Sequence, residues 1–326
     1  MPSSPSLISV VFAVFVALLS GSRIITADNA KYDPVAEAAG ALARMNVKAE
    51  DCPQFGVSPL RNNISAAPNI PTRWNVDSGF NVKWSAALGS HTYGTPVVAN
   101  GKVFIGTDNG NGYAEHFPRD VKLAVLACFD EATGKFLWQH SNAIPADVRD
   151  RYWQLSGICS APYVEGNRLW YVTNRDEVVC LDTEGFLDGK NDGPATDEPN
   201  QNSDDADVVW RFDLIAELGL VSGRRSCCSV TACGDILLVC TSNGFISGRG
   251  GADAKSPSFL AMDKNSGKVL WTDHSPGENI LNGQWSSPAV GVLGGVEQAI
   301  FAGGDGWLYS FDIRGDNGKI EIALEV

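Results

Sequence analysis

Short runs of alternating apolar and polar residues, separated by Gly, Asn, Asp and Pro, fill the chain from residue 94 onward. Gly94-Thr95-Pro96-Val97-Val98 turns at Asn100-Gly101 and returns as Lys102 to Thr107. Asn-Gly between β-rich runs is a strong hairpin signal. Leu123 to Asp130 predicts a third strand, and a fourth follows the Thr133-Gly134 turn and runs through Trp138. The second unit reads Ser160 to Val164, Arg168 to Val172 and Glu177 to Asp182, with its fourth strand, Asp207 to Phe212, delayed by the acidic insertion Glu184 to Ala206. The third starts at Cys228-Ser229-Val230 and continues through Asp235 to Thr241, a Gly-rich loop from Asn243 to Pro257, and Ala261 to Trp271. The fourth has Ser286 to Val290, Gln298 to Ala302, Gly306 to Asp312 and a weak last strand near Lys319.

These units are in register. Pro96 to Pro162 is 66 residues, Pro162 to Val230 is 68, and Val230 to Pro288 is 58. Four-stranded units in tandem at this period predict an all-β fold, a β-propeller of four-stranded antiparallel blades with about four blades visible. The sharpest copy is Ala261-Met262-Asp263-Lys264-Asn265-Ser266-Gly267-Lys268-Val269-Leu270-Trp271; Cys128 to Trp138 repeats it well, and the copies at Asp182 and Asp312 are eroded. Aligned on Asp130, Asp182, Asp263 and Asp312, the column two residues earlier holds Cys128, Cys180, Ala261 and Ser310, so it wants a small side chain. Asp is expected to cap the turn, Gly134 and Gly267 to take its positive-φ position, and Trp138, Trp210 and Trp271 to pack between blades. One strand, Asn81 to Ser85 with Trp84, has no unit of its own. Either the chain is an incomplete larger propeller, which the Trp-free ending Gly318 to Ile322 favours, or the Trp84 strand completes the last blade and closes a small ring.

The series Ser-x-Pro-Val, Gly-x-Val-Phe-Ile-Gly and Ala-x-Asp-x-x-Ser/Thr-Gly-Lys-x-x-Trp resembles the pyrroloquinoline quinone (PQQ) repeat of quinoprotein alcohol dehydrogenase-like propellers, over about Trp74 to Lys319. The resemblance implies the fold and leaves the activity open, because such repeats occur in quinone-binding dehydrogenases and in non-catalytic relatives such as the assembly propeller BamB. The leading expectation is a non-catalytic scaffold that binds proteins or small ligands, with no cofactor. The alternative is a PQQ- and calcium-dependent dehydrogenase acting on alcohols or sugars.

The N-terminal 73 residues follow other patterns. Leu7 to Leu19 is apolar except for Ser9, too short to span a bilayer comfortably and suited to the core of a signal peptide over residues 1–27. The expectation is export to a periplasmic or extracellular space, with no transmembrane span after cleavage. Residues 28–73 hold a short helix starting at Asp33-Pro34 and broken by Gly40, then an extended Pro- and Asn-rich arm, Asp51 to Pro71, lying on the domain surface. Repeats occupy 74–326.

A hydrophobic fraction of 44% with 19% charged residues supports a large core, and the net charge of -13 argues against nucleic acid or an anionic membrane surface as partner. Of the eight cysteines, Cys128 and Cys180 read as buried small hydrophobes. Cys227, Cys228, Cys233 and Cys240 are the disulfide candidates, with a turn at Gly234-Asp235 setting Cys240 opposite Ser229 and diagonal to Cys227; a vicinal Cys227-Cys228 bond is the rarer arrangement.

Candidate ligand-binding residues lie where the innermost strands begin. Three residues before the repeat Pro, the column reads Tyr93, Cys159, Cys227 and Trp285, and its neighbours include His91, Trp153, Arg224, Arg225, Asn243 and Gln284. Aromatic, Arg and amide groups converging on a channel mouth suit a small or peptidic ligand. No metal site is expected: Asp188-Gly189-Lys190-Asn191-Asp192-Gly193 resembles the start of a calcium loop, but Lys190 fills a ligand position and Pro199 stands where the closing Glu belongs. No nucleophile and base can be paired, so no catalytic residue is assigned.

Overall fold

Trp138 shows how the repeat builds the fold. It lies on a fourth strand, directly opposite Cys128 on the third, and its indole N–H reaches the Thr183 carbonyl of the next unit at 3.1 Å. Cys180 faces Trp210 and Ala261 faces Trp271 in the same way. The small column is therefore the cross-strand neighbour of the tryptophan, and a larger side chain there would displace the ring. A bulge follows the small residue in each of these three sheets, between Cys128 and Phe129, Cys180 and Leu181, and Ala261 and Met262.

The computed structural model describes residues 33–65, 67–144, 156–220, 227–241, 243, 254–281, 283–314 and 324–325. Among them are four sheets, each of four antiparallel strands in sequence order. Blade 1 comprises β1 (Val97–Ala99), β2 (Lys102–Asp108), β3 (Leu123–Asp130) and β4 (Phe136–Ala143). Blade 2 comprises β5 (Tyr163–Glu165), β6 (Arg168–Val172), β7 (Glu177–Asp182) and β8 (Val208–Asp213). Blade 3 has β9 (Thr231–Cys233), β10 (Ile236–Cys240), β11 (Phe259–Asp263) and β12 (Val269–Asp273); blade 4 has β13 (Ala289–Leu293), β14 (Val296–Ala302), β15 (Trp307–Asp312) and β16 (Leu324–Glu325). The fold is a β-propeller of four-stranded blades.

Turn chemistry explains the sharp copies of the repeat. Asp263 Oδ1 accepts from the Asn265 and Ser266 amides at 3.1 and 2.8 Å and from the Ser266 hydroxyl at 2.7 Å. The Ser266 hydroxyl and these amides hold its carboxyl below the usual carboxylate range. Asp130 caps its turn through Thr133 in the same manner. Gly134 and Gly267 have φ of 73° and 72°, and a Cβ on either would sit 2.5 or 2.7 Å from the ring of Trp84 or Trp210. Glycine is needed here twice over, for the left-handed backbone and for the indole lying on it.

Trp84 thus takes the place of a fourth-strand tryptophan without being in a strand. Its indole donates to the Glu131 carbonyl at 2.8 Å, as Trp210 does to Lys264 and Trp271 to Ile313, both at 3.0 Å. The expectation that the Trp84 strand completes the last blade is corrected: the segment packs on blade 1, and the outer place in blade 4 belongs to β16, which pairs with Trp307 and Leu308.

Two further corrections concern the N-terminal region. Helix α1 (Pro34–Arg44) is capped by Asp33, whose carboxylate accepts from Val35 and Ala36, and it runs through Gly40 instead of breaking there. An interior Gly costs about 1 kcal/mol relative to Ala, and burial of Ala38, Ala41 and Leu42 offsets it. The arm does not lie on the surface between Asp51 and Ser58, where Asp51, Gln54, Val57 and Ser58 are buried. It crosses the innermost strands of all four blades: Cys52 pairs with Val98 of β1, the Pro53 carbonyl accepts from Val164 of β5, Gln54 accepts from the Thr231 hydroxyl of β9, and the Pro59 carbonyl accepts from Val290 of β13. An inner strand has a free edge, and the arm supplies its missing partners. Arg61 completes the crossing by donating to the carbonyls of Phe55, Ser229, Val230 and Pro288. Burial pushes its guanidinium down to about 10, still cationic at neutral pH.

Trp138→Ala is expected to lower stability by about 3–5 kcal/mol in urea unfolding, because a fully buried ring and its bond to the next blade are lost together. Arg61→Met, which keeps bulk but leaves three inner-blade carbonyls without their donor, should cost about 3 kcal/mol in the same measurement.

Candidate functional site

The innermost strands start side by side. Backbone bonds between them are relayed by small hydroxyl residues: the Ala161 amide donates to Ser229 Oγ at 2.9 Å, and the Ser229 amide to Ser287 Oγ at 3.0 Å. Small side chains one residue before the repeat Pro let neighbouring strands approach. Two residues further back, the larger side chains point into the space the strands enclose.

That space is a cavity of about 450 Å³, lined by Tyr93, Thr95, Cys159, Cys227, Ser229, Trp285 and Ser287, with Phe55 of the arm as one wall. All four members of the predicted column are therefore brought together. Tyr93 and Trp285 are 48% and 41% exposed, so two large aromatic faces are open to a ligand. His91 stacks on Tyr93 with ring centroids 6.2 Å apart. It is held by Asp108, whose carboxylate accepts from the Ser90 and His91 amides.

Other predicted residues fall elsewhere. Asn243 is buried and donates to the Ser256 carbonyl at 2.8 Å, bracing the loop before β11. Gln284 is buried and accepts from the Gly304 amide at 3.3 Å, supporting the loop between β14 and β15. Neither lines the cavity. Trp153, Arg224 and Arg225 lie outside the described residues, as does the proposed signal peptide. The repeat residues Asp130, Gly134, Trp138, Asp182, Trp210, Asp263, Gly267, Trp271 and Asp312 sit at turns and blade seams, away from the cavity lining.

The cavity does not suit a calcium-held quinone. Calcium takes six to eight oxygen ligands, carboxylates prominent among them. Among the described lining residues the donors are hydroxyls and thiols, with no carboxylate. The acidic insertion is engaged with itself and with blade 2: Lys190 Nζ sits 2.7 Å from Asp188, Asn191 donates to Glu198, and the Asp192 amide donates to Asp207. His116, Asp204 and Asp205 form a compact group, with His116 Nε2 2.8 Å from Asp205, which also accepts from Asn202.

The described cysteines are all free thiols. The turn pairs Ile236 with Cys233 and Leu238 with Thr231, yet the disulfide candidates do not pair: the Cys228 sulfur accepts the Cys240 amide in the core, while Cys227 lines the cavity. Cys128 and Cys180 are buried beside their tryptophans.

A second cavity, of about 400 Å³, lies at the outer seam of blades 1 and 2, where the insertion folds back over β4. His140 lines it, with Asn142, Glu177, Glu198 and Arg211. His140 Nδ1 is 2.6 Å from the Tyr171 hydroxyl, which also takes the Asn142 amide at 3.3 Å. With Asn142 donating to it, the hydroxyl donates to a neutral imidazole. Burial pushes His140 down to about 4, with Arg211 adding to the shift. Sequence reading missed this pair because its members come from different blades and neither belongs to a motif.

No family model matches the sequence, and no curated protein does. Among solved structures, BamB from Moraxella catarrhalis is similar over 74% of this chain and 54% of its own, at 14% identity and a TM-score of 0.43. The quinohemoprotein alcohol dehydrogenase from Comamonas testosteroni is similar over 86% and 51%, at 14% identity and a TM-score of 0.42. A europium-containing methanol dehydrogenase is similar over 84% and 58%, at 10% identity and a TM-score of 0.42. The chain spans about half the length of these structures.

Because His140 is held neutral, the unfolded chain binds its proton first. That part of the stability is complete above about pH 6.5 and is lost as pH falls toward 4. Asp207, pushed up to about 6 by burial, acts in the opposite sense. The difference between the wild-type and His140→Gln stability profiles should therefore grow to about 2–3 kcal/mol across that window in urea unfolding.

Proposed function

We propose that the protein is an exported, non-catalytic propeller that binds an apolar or aromatic group, of a small molecule or a peptide side chain, in the cavity at its inner strands. The carrying observation is the convergence of Tyr93, Trp285 and Phe55 on one space of about 450 Å³. Aromatic faces bury large apolar area at low conformational cost, and a few hydroxyls below them orient the bound group. Thr95, Ser229 and Ser287 are those hydroxyls here.

The lining contains no charged side chain among the described residues, so ligand charge is not matched there, and the net charge of -13 disfavours polyanions. Export rests on the apolar run from Leu7 to Leu19. No helix among the described residues is long and apolar enough to cross a membrane. The donor set supports a binding role over a calcium-dependent dehydrogenase, since the described lining residues include none of the carboxylates such a cofactor site requires.

Titrating short peptides that differ only in one central side chain, followed by calorimetry, tests the reading. Peptides with Phe, Trp or Leu should bind with a negative heat-capacity change, and those with Ser or Asp should not. Trp285→Ala should weaken binding about tenfold or more, the size expected for a central aromatic contact. Equal affinity across the peptides, or an unchanged affinity in the variant, would overturn the reading.

A further inference from the structure

Cys159 and Cys227 occupy the same position in successive blades, three residues before Pro162 and three before Val230. Both line the central cavity and both are partly exposed, and two residues further along the Ala161 amide donates to Ser229 Oγ at 2.9 Å, so the two strands run side by side where the cysteines stand. Cys228, the next residue, has its sulfur turned into the core under the Cys240 amide. The other thiol groups are placed differently. Cys128, Cys180, Cys228 and Cys240 are buried, and Cys52 and Cys233 lie outside the cavity lining.

We propose that Cys159 and Cys227 form a redox-active dithiol that closes, by exchange with a low-molecular-weight disulfide, into a bond joining the innermost ends of blades 2 and 3. This goes beyond the binding reading and does not depend on it. The two thiols play different parts. The neighbouring Cys227 thiol lowers the Cys159 pKa from its ordinary value, while the same interaction and burial raise that of Cys227. The Cys159 thiolate is therefore the attacking group.

It attacks one sulfur of the small disulfide, forming a mixed disulfide and expelling one thiolate, which takes up the proton that Cys159 released. Cys227 then gives its proton to solvent base and attacks the Cys159 sulfur, expelling the second small thiol. Two protein thiols are oxidised to one disulfide, and one small disulfide is reduced to two thiols. The new bond would enclose all of blade 2 and cover part of the cavity floor between Tyr93 and Trp285.

The test uses the full folded chain and hydroxyethyl disulfide, a neutral oxidant that the chain's negative charge does not repel. After brief treatment and trapping of remaining thiols, intact mass should show the loss of two hydrogens with no retained adduct, and peptide mapping should find Cys159 joined to Cys227. Cys227→Ser should stop at a mixed disulfide on Cys159, and Cys159→Ser should react far more slowly. Thermal melting of each variant establishes that it is folded. Cys240→Ser, outside the pair, should leave the exchange unchanged. Recovery of Cys159 and Cys227 both alkylated, or of a bond from Cys227 to Cys228 or Cys240, would overturn the proposal. Because the readout is covalent mass, its failure is separate from a failure of peptide binding.

Discussion

The indole N–H of each blade-to-blade tryptophan has to be paired once the ring is buried, and its acceptor is always on the following unit. Trp84, Trp138, Trp210 and Trp271 donate to Glu131, Thr183, Lys264 and Ile313, each one residue after a repeat Asp. That one requirement ties several features together. The turn must present its carbonyl, so Asp caps it; the indole must lie flat on the turn, so Gly134 and Gly267 have no side chain; and the strand opposite must leave room, so the facing residue is Cys or Ala. An unpaired buried N–H would cost about 1–3 kcal/mol at each seam, which makes the seams the natural place for sequence constraint. The blade 2 to blade 3 seam carries a further layer, with Trp170 also donating to the Lys264 carbonyl and Lys264 Nζ 2.7 Å from Glu165.

The same accounting applies at the centre. Innermost strands have one edge without a neighbour, and a β-edge with unpaired N–H groups invites association. In this chain a stretch of only about ten residues, Cys52 to Arg61, bonds to the inner strands of all four blades. Arg61 is suited to the end of that path because its guanidinium has five donors in a fixed plane and can satisfy carbonyls from two blades at once. By occupying the centre, the arm also shapes the cavity. Phe55 becomes a wall, and what remains open is bounded by the first residues of the inner strands. A structural plug and a binding surface are thus products of one segment.

Blade architecture was legible before any coordinate. Hairpin turns at Asn100-Gly101 and Gly234-Asp235 set the registers seen in the sheets, and three members of the small column, Cys128, Cys180 and Ala261, marked the positions facing the tryptophans. Local chemistry decides these features, since turn type, alternation and side-chain size act over a few residues. Counting back from the repeat Pro also reached Tyr93, Cys159, Cys227 and Trp285, because equivalent positions in equivalent blades must meet wherever the strands converge. The same approach placed Asn243 and Gln284 at the channel mouth, whereas they are buried braces for loops. Proximity in sequence to an inner strand does not say which way a side chain turns.

Sequence by itself therefore determined the repeating unit, its turn chemistry and the residues that clasp neighbouring units, all of which depend on interactions within a few residues or on strict repetition. Only the tertiary structure decided where the singular segments go. The arm reads as a surface strand because it is rich in Pro and Asn, and its part from Asp51 to Ser58 is largely buried because the inner strands take partners from it: its backbone bonds to Val98, Val164 and Val290, and its Gln54 side chain to Thr231. Trp84 reads as a stray strand, and it is the clasp for blade 1. His140 and Tyr171, like Cys159 and Cys227, become pairs only when separate blades are set side by side. No local pattern records such a meeting, because its energy arises between residues that the chain itself keeps far apart.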